Sequence, residues 1–187
     1  MEVSETNTPE FVESVSREQL DILYVIGWSR IVHHDAIVAP KLGTIGYHPA
    51  PLPLMRGRAV IPWTILLGVE RTASTLFWMD DDIDHGPIAA QEFFDVDPRE
   101  TATTLYKKHM AALRLMLSGD RVILGSKQQD HAKATYCAKR TPADGEIDWS
   151  KPPEEIDRLI RAVTHPYPGA WTMIGGKKVT IWEATVE

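Results

Sequence analysis

The block "GTIGYHPAPLPLMRGRA" (Gly43–Ala59) does most to limit what this chain can fold into. "TIGYH" (Thr44–His48) reads as a strand. The proline-rich "PAPLP" that follows fixes its own backbone and keeps the strand end open. "AVIPWTILLG" (Ala59–Gly68) then reads as a helix, with Pro62 in its first turn and Gly68 near its end. Positions 44, 46 and 48 share one face of a strand. His48 therefore stands at the C-terminal end of its strand, the edge where open parallel sheets bind ligands.

The flanking segments extend this into an α/β layered fold. "NTPEFVESVSREQ" (Asn7–Gln19) is a helix with Thr8 as N-cap and Pro9 at the first helical position. "DILYVIG" (Asp21–Gly27) is an almost continuously apolar run, the pattern of a strand covered on both faces in a parallel sheet. "HDAIVAPKLG" reads as a short helix ending near Pro40. "TASTLFWMD" (Thr72–Asp80) and "PIAAQEFFDV" (Pro87–Val96) are strands separated by the loop "DDDIDHG". A long helix follows over Pro98–Gly119, with Leu105, His109, Leu113 and Met116, and also Ala112 and Leu115, at helical spacing. Ser126–Pro152 is polar and turn-rich and reads as a linker, so a boundary falls between residues 1–125 and 126–187. "PEEIDRLIRAVTH" is a helix, and "AWTMIGGKKVTIWEATV" a hairpin turning at Gly175–Gly176. With little core of their own, these two should pack on the main domain or begin a domain that the chain does not finish.

Charge and cysteine content narrow the function classes. Twenty Lys and Arg against 26 Asp and Glu give a net charge of −6. That leans away from partners bound mainly through a phosphate backbone, but not from a small phosphorylated ligand held by two arginines. No apolar run reaches the roughly 18 residues of a membrane span, and there is no signal-peptide pattern. The single cysteine, Cys137, has no internal disulfide partner, so the expected location is a reducing cytoplasm.

The chemistry-bearing candidates cluster around the strand ends. His48 is either a ligand-facing group or a structural histidine bonded to backbone. Asp84, in "DDDIDHGPI", is either part of a solvated turn or the partner that raises and orients a histidine for base work near neutral pH. Arg56 and Arg58 flank Gly57 just before a helix, as an anion site or an ordinary charged turn. "GWSRI" (Gly27–Ile31) ends the first strand at the same edge, and Trp28 is core or the wall of a flat-ligand pocket. Trp63 and Trp78 read as core. "HHD" (His33–Asp35) puts adjacent residues on a helix, where they do not face one metal, so no metal site is expected.

Taken in order, "GWSRI", "GTIGYHPAPLPLMRGRA" and "DIDHGPIAAQ" resemble the folate-dependent formyltransferases. The tail "KRTPADGEIDWSKPPEEIDRLIRAVTHPYPGAW" resembles the linker and C-terminal start of the methionyl-tRNA formyltransferase-like members. It is closer still to the formyltransferase half of the bifunctional aminoarabinose enzyme of lipid A modification. The resemblance implies a Rossmann-like sheet with flanking helices and a small helix-plus-hairpin extension. It implies formyl transfer from 10-formyltetrahydrofolate, without a metal, to a primary amine on a small molecule such as a sugar nucleotide, with tRNA as the other acceptor. In that reading His48 assists proton removal and stabilises the tetrahedral intermediate, and Asp84 holds His48 charged. The folate lies along Gly27, Trp28, Ser29, Arg30 and Ile31 and the loop Asp80, Asp81, Asp82 and Ile83. Pro49, Ala50, Arg56, Gly57 and Arg58 face the acceptor.

Three departures go with the resemblance. The family carries an asparagine two positions before the histidine, and here that position is Gly46. Loss of one oxyanion donor costs about 2.7–4 kcal/mol elsewhere. Glycine instead leaves room for a differently shaped substrate, or for a water that would hydrolyse the folate; an inactive folate-binding module is the remaining alternative. The family's opening βαβ stretch is absent, and the tail stops early. The chain is then either a fragment or a protein that needs a partner, such as a second copy, to cover its sheet.

Overall fold

The computed structural model describes residues 6–118 and 126–186. The expected helix end at Gly119 and the boundary at residue 125 lie outside them. Thr8 caps the first helix, α1 (Pro9–Arg17), by accepting a hydrogen bond from the Phe11 amide. Strand β1 (Ile22–Val25) leads through α2 (His34–Val38) into β2 (Gly43–His48), which lies parallel to it. After the short β3 (Arg56–Gly57) and helix α3 (Val60–Leu66), strands β4 (Arg71–Trp78) and β5 (Ile88–Asp95) form an antiparallel hairpin. The sheet order is β1-β2-β4-β5, with β2 and β4 antiparallel. The sheet is thus mixed, with one parallel pair at its β1 edge.

β1 departs from expectation. It borders the sheet, its residues are only partly buried, and Tyr24 is 36% exposed. An apolar run of four residues satisfies an edge strand as well as a central one, because the pattern records side-chain hydrophobicity and not the number of neighbours.

Helix α4 (Ala102–Leu117) begins behind a Thr101–Thr104 capping box, four residues later than expected from Pro98. It lays Leu105, His109, Ala112, Leu113 and Met116 against the sheet, while Leu115 stays exposed. Leu113 and Met116 pack with Ile45, Leu76 and Ala89.

The other face of the sheet follows from the pairing register. Gly46 lies opposite Phe77, His48 opposite Thr75, and Thr75 opposite Gln91. Directly opposed residues share a face, so His48, Thr75, Phe77 and Gln91 point away from α4.

The stretch expected as a linker is seated on the core. Strand β6 (Tyr136–Cys137) pairs parallel with β3, and Lys127 bridges Ile88 of β5. Helix α5 (Pro153–Val163) and the hairpin of β7 (Ala170–Ile174) and β8 (Lys177–Ile181) pack on the helices and strands before them. Ile160, Val163 and Ala170 join Ile61, Ile65, Ala102 and Leu105 in one apolar cluster. Gly175 and Gly176 turn the hairpin with φ of +56° and +77°, the left-handed pair that a tight two-residue turn requires.

Candidate active site

His48 ends β2 and is 4% exposed. Its Nε2 lies 2.8 Å from the Met55 carbonyl oxygen, and its Nδ1 lies 3.5 Å from Asp84 Oδ2. An imidazole nitrogen beside a carbonyl must carry hydrogen, so Nε2 donates to Met55. Nδ1 faces a carboxylate at a distance too long for a tight hydrogen bond. It is the ring nitrogen left able to exchange a proton.

Backbone geometry brings the partners in. Met55 and Asp84 both adopt left-handed φ, +59° and +52°, which non-glycine residues hold only when their surroundings enforce it. Asp84 Oδ2 also accepts from the Gly57 amide at 2.8 Å. Gly57 itself has φ +101°, and a Cβ there would lie 2.6 Å from the Cys137 carbonyl oxygen. Only glycine lets β3 approach β6 so closely.

The loop between His48 and Met55 is held by side chains as well as by proline. Thr75 Oγ1 donates to the Ala50 carbonyl at 2.6 Å. Gln91 Nε2 donates to Thr75 Oγ1 and to the Leu52 carbonyl. At the far end, Thr135 Oγ1 accepts from the Met55 amide at 2.8 Å. None of these holders was evident in the sequence. The one available signal was Thr72, Ser74 and Thr75 in an otherwise apolar strand, where buried hydroxyls demand partners.

Several expectations change. Arg56, expected to face an anion, is 2% exposed. Its guanidinium donates to Gln129 Oε1 at 2.7 Å, His131 Nδ1 at 2.9 Å and the Tyr136 hydroxyl at 3.2 Å. Period-two geometry turned it inward, toward the segment that β6 brings back. Ala50, expected to touch the acceptor, is fully buried with Met55 and Val60. The room expected at Gly46 is filled, because a Cβ there would stand 2.8 Å from Phe77 Cζ and 3.0 Å from Met79 Cγ. Phe77 borders the β4–β5 register shift and its ring closes over Gly46.

The other candidates are dispersed around this centre. Arg58 is exposed and donates to the Ser29 carbonyl at 2.9 Å, tying the "GWSRI" segment to the arginine block. Pro49 is half-buried beside His48. Gly27 has φ +69°. Trp28 packs beside Val32, Ala36 and Ile37, and its Nε1 is buried without a partner. Ile31 is exposed, and its carbonyl accepts from Asn7. Asp80 Oδ2 lies 2.6 Å from His85 Nδ1, Asp81 pairs with His34, and the Asp80 carboxylate caps the Asp82 amide. Ile83 is exposed. The His85 ring stacks on His131 at 4.0 Å. Trp63 and Trp78 are core-packing, as expected. Among the described residues no group of three or more metal-ligating side chains is gathered, and no helix is long and apolar enough to cross a membrane.

A sheet edge that sets a buried histidine against a partly buried aspartate between two loops fits the family to which sequence models assign the chain. Residues 1–117 match the formyl transferase model and residues 139–187 the formyl transferase C-terminal domain. The chain belongs to the formyl transferase family. Among solved structures, it is similar to a sugar N-formyltransferase from a Shewanella species, at 19% identity and a TM-score of 0.79. That match covers 98% of this chain and 76% of that one. It is similar to methionyl-tRNA formyltransferase from Clostridium thermocellum, at 21% identity and a TM-score of 0.73, covering 100% of this chain and 80% of that one. It also matches HypX from Aquifex aeolicus in complex with tetrahydrofolic acid, at 19% identity and a TM-score of 0.73. There it covers 95% of this chain but only 32% of the HypX chain. At these identities the likeness is one of fold.

Proposed function

We propose that this chain transfers a formyl group from 10-formyltetrahydrofolate to a primary amine, most simply one carried by a sugar nucleotide. The observation that carries the reading is the pairing of buried His48, at the C-terminal end of β2, with the partly buried Asp84 3.5 Å away. Its setting in a formyl transferase family chain supplies the reaction class. The sugar acceptor is favoured by the similarity to a sugar N-formyltransferase and by the net charge of −6, which suits a nucleotide better than a tRNA backbone.

Bound folate would supply the formyl carbon. The acceptor nitrogen forms the new bond to that carbon, the bond to N10 breaks, and one proton moves from the attacking amine to the departing nitrogen. His48 Nδ1 takes and returns that proton, with its Nε2 fixed on Met55. Asp84 stabilises the ring while it is doubly protonated. The folate fit rests on the segment around Trp28, whose buried indole N–H has no partner, and on the exposed Ile83 that follows Asp82 in the chain. Exposed Arg58 is a cation that could pair with an acceptor phosphate. Transfer is favoured over hydrolysis by Phe77 and Met79, which stand within 3.0 Å of where a Gly46 Cβ would lie and leave little of the room that hydrolysis was expected to use.

The test follows tetrahydrofolate release from the purified chain with 10-formyltetrahydrofolate alone, with amino-sugar nucleotides, and with charged initiator tRNA. Release that requires an amino-sugar nucleotide is expected. His48→Asn should lower it by about 10²–10⁴ while folate still binds. Release without any acceptor, or no release despite folate binding, would overturn the proposal.

A further inference from the structure

Arg56 and Gln129 form a link that the reaction above does not use. Gln129 is 5% exposed. Its Nε2 donates to two carbonyls of one turn, Asp84 at 2.9 Å and Gly86 at 2.7 Å. Its Oε1 accepts from Arg56 Nη2 at 2.7 Å. The amide orientation follows from the partners, since the reverse would set oxygen against two carbonyls and NH₂ against a guanidinium. All three strong contacts of one side chain therefore join the Asp84 turn to β3.

Side chains hold this turn elsewhere, His85 through Asp80 and the His131 ring and Asp84 through the Gly57 amide, whereas Gln129 grips its backbone carbonyls. Gly86 lies so close to the end of β4 that a Cβ would fall 1.8 Å from the Trp78 carbonyl oxygen, and strand pairing resumes only at Pro87. Asp84 sits at φ +52°. A residue there relaxes toward negative φ when external bonds are removed, and its carboxylate then swings away. Met55 and β3 meanwhile carry the other contacts of the same centre. The Met55 carbonyl holds His48, and the Gly57 amide holds Asp84. With the Arg56–Gly57 peptide, these bonds close the ring Arg56, Gln129, Asp84, Gly57, and His48 is joined to it through Met55 on one side and faces Asp84 on the other.

We infer that Gln129 is a positioning residue, one that fixes the Asp84 carboxylate against His48 by locking the Asp84–Gly86 turn to Arg56. The inference rests on the proposed formyl transfer for its kinetic consequence, but its geometric core is independent of it. The side chain comes from the segment after α4, which thereby sets the catalytic geometry from outside the sheet. A displacement of about 1 Å in such a centre can cost roughly 10²-fold in rate.

Gln129→Met keeps the length and apolar stem and removes all three hydrogen bonds. Its kcat should fall by about 10–100-fold while the KM for folate stays within about twofold, the signature of lost alignment. Imidazole ¹H–¹⁵N spectra give a readout that needs no turnover. The His48 Nε2–H signal, distinctive through its bond to Met55, should shift or broaden in the variant. Should Gln129→Met fail to fold by circular dichroism, Gln129→Glu retains the acceptor for Arg56 and removes both donors, and the same losses are expected. Unchanged kcat per folded molecule together with unchanged His48 signals would reduce Gln129 to packing and overturn the inference. If the wild-type chain transfers no formyl group, the functional proposal fails on that result, and the spectra alone judge Gln129.

Discussion

His48 and His109 are both buried histidines on opposite faces of one sheet, 4% and 0% exposed, and their surroundings could hardly differ more. His48 has an oxygen acceptor at each ring nitrogen, Met55 on one side and Asp84 on the other. His109, on α4, meets only the Ser74 hydroxyl at Nδ1, 2.9 Å away, with the Phe94 ring edge-on. Its Nε2 is buried without a partner. Burial pushes the His109 pKa down to about 3, and the charge of His48 across the sheet adds to the shift. Burial thus does not make a proton-transfer group. The proposed proton transfer needs acceptors that tolerate a second proton, and among the described residues these stand beside His48 and not beside His109.

The largest expected effect tests that contrast through pH. His109 has a folded pKa of about 3 against about 6.5 when unfolded. Its contribution to stability is therefore fully present above pH 6.5 and is lost as pH falls toward 3. The loss is about 1.4 kcal/mol per pH unit once the unfolded state is protonated. Urea melts at intervals from pH 7 to 5 should show this slope, and His109→Leu should flatten it. A slope that survives the substitution would mean that His109 accepts a proton in the fold, and the contrast with His48 would collapse.

The side of the sheet on which each histidine falls was legible in the sequence. Alternation placed His48 with positions 44 and 46, and helical spacing placed His109 among Leu105, Leu113 and Met116. The β1–α2–β2 order, the Thr8 cap and the Gly175–Gly176 turn were equally plain, because each depends on neighbours within a few residues. What was not legible depends on partners far along the chain. Arg56 reads as a surface charge until Gln129 and His131, more than seventy positions away, return to meet it. Gln129 and Thr135 lie in a stretch whose polarity resembles any linker. Local pattern reports exposure preference, and a buried polar residue departs from it only because of a partner the pattern does not contain. Phe77 closing over Gly46 is a cross-strand pair, set by register rather than by either residue alone.

That pair gives the next effect. Gly46→Ala places a methyl 2.8 Å from Phe77 Cζ, on a ring only 4% exposed. Overpacking of this kind costs about 1–3 kcal/mol. Phe77→Leu should relieve it, so the double variant should recover at least about 1 kcal/mol of the expected sum in thermal melts. Strict additivity would mean the ring moves aside freely. The face that carries His48 would then be less firmly packed than the 4% exposure of Phe77 implies.

The smallest effect uses two adjacent residues of β4. Ser74 points to His109 and Tyr47, and Thr75 points to the His48 loop. Ser74→Ala and Thr75→Val each leave a buried polar partner unpaired and should cost a similar amount, about 1–3 kcal/mol. Their consequences for turnover should separate. Without its Thr75 bond, the Ala50 carbonyl no longer anchors the loop that carries Met55, and Gln91 retains only its bond to Leu52. Thr75→Val should therefore lower kcat severalfold in the tetrahydrofolate-release assay, whereas Ser74→Ala should change kcat per folded molecule little. Equal kcat losses would show that the two faces are mechanically coupled through the strand. Division of labour between them would then be a matter of which side chains they carry, not of how firmly each face is held.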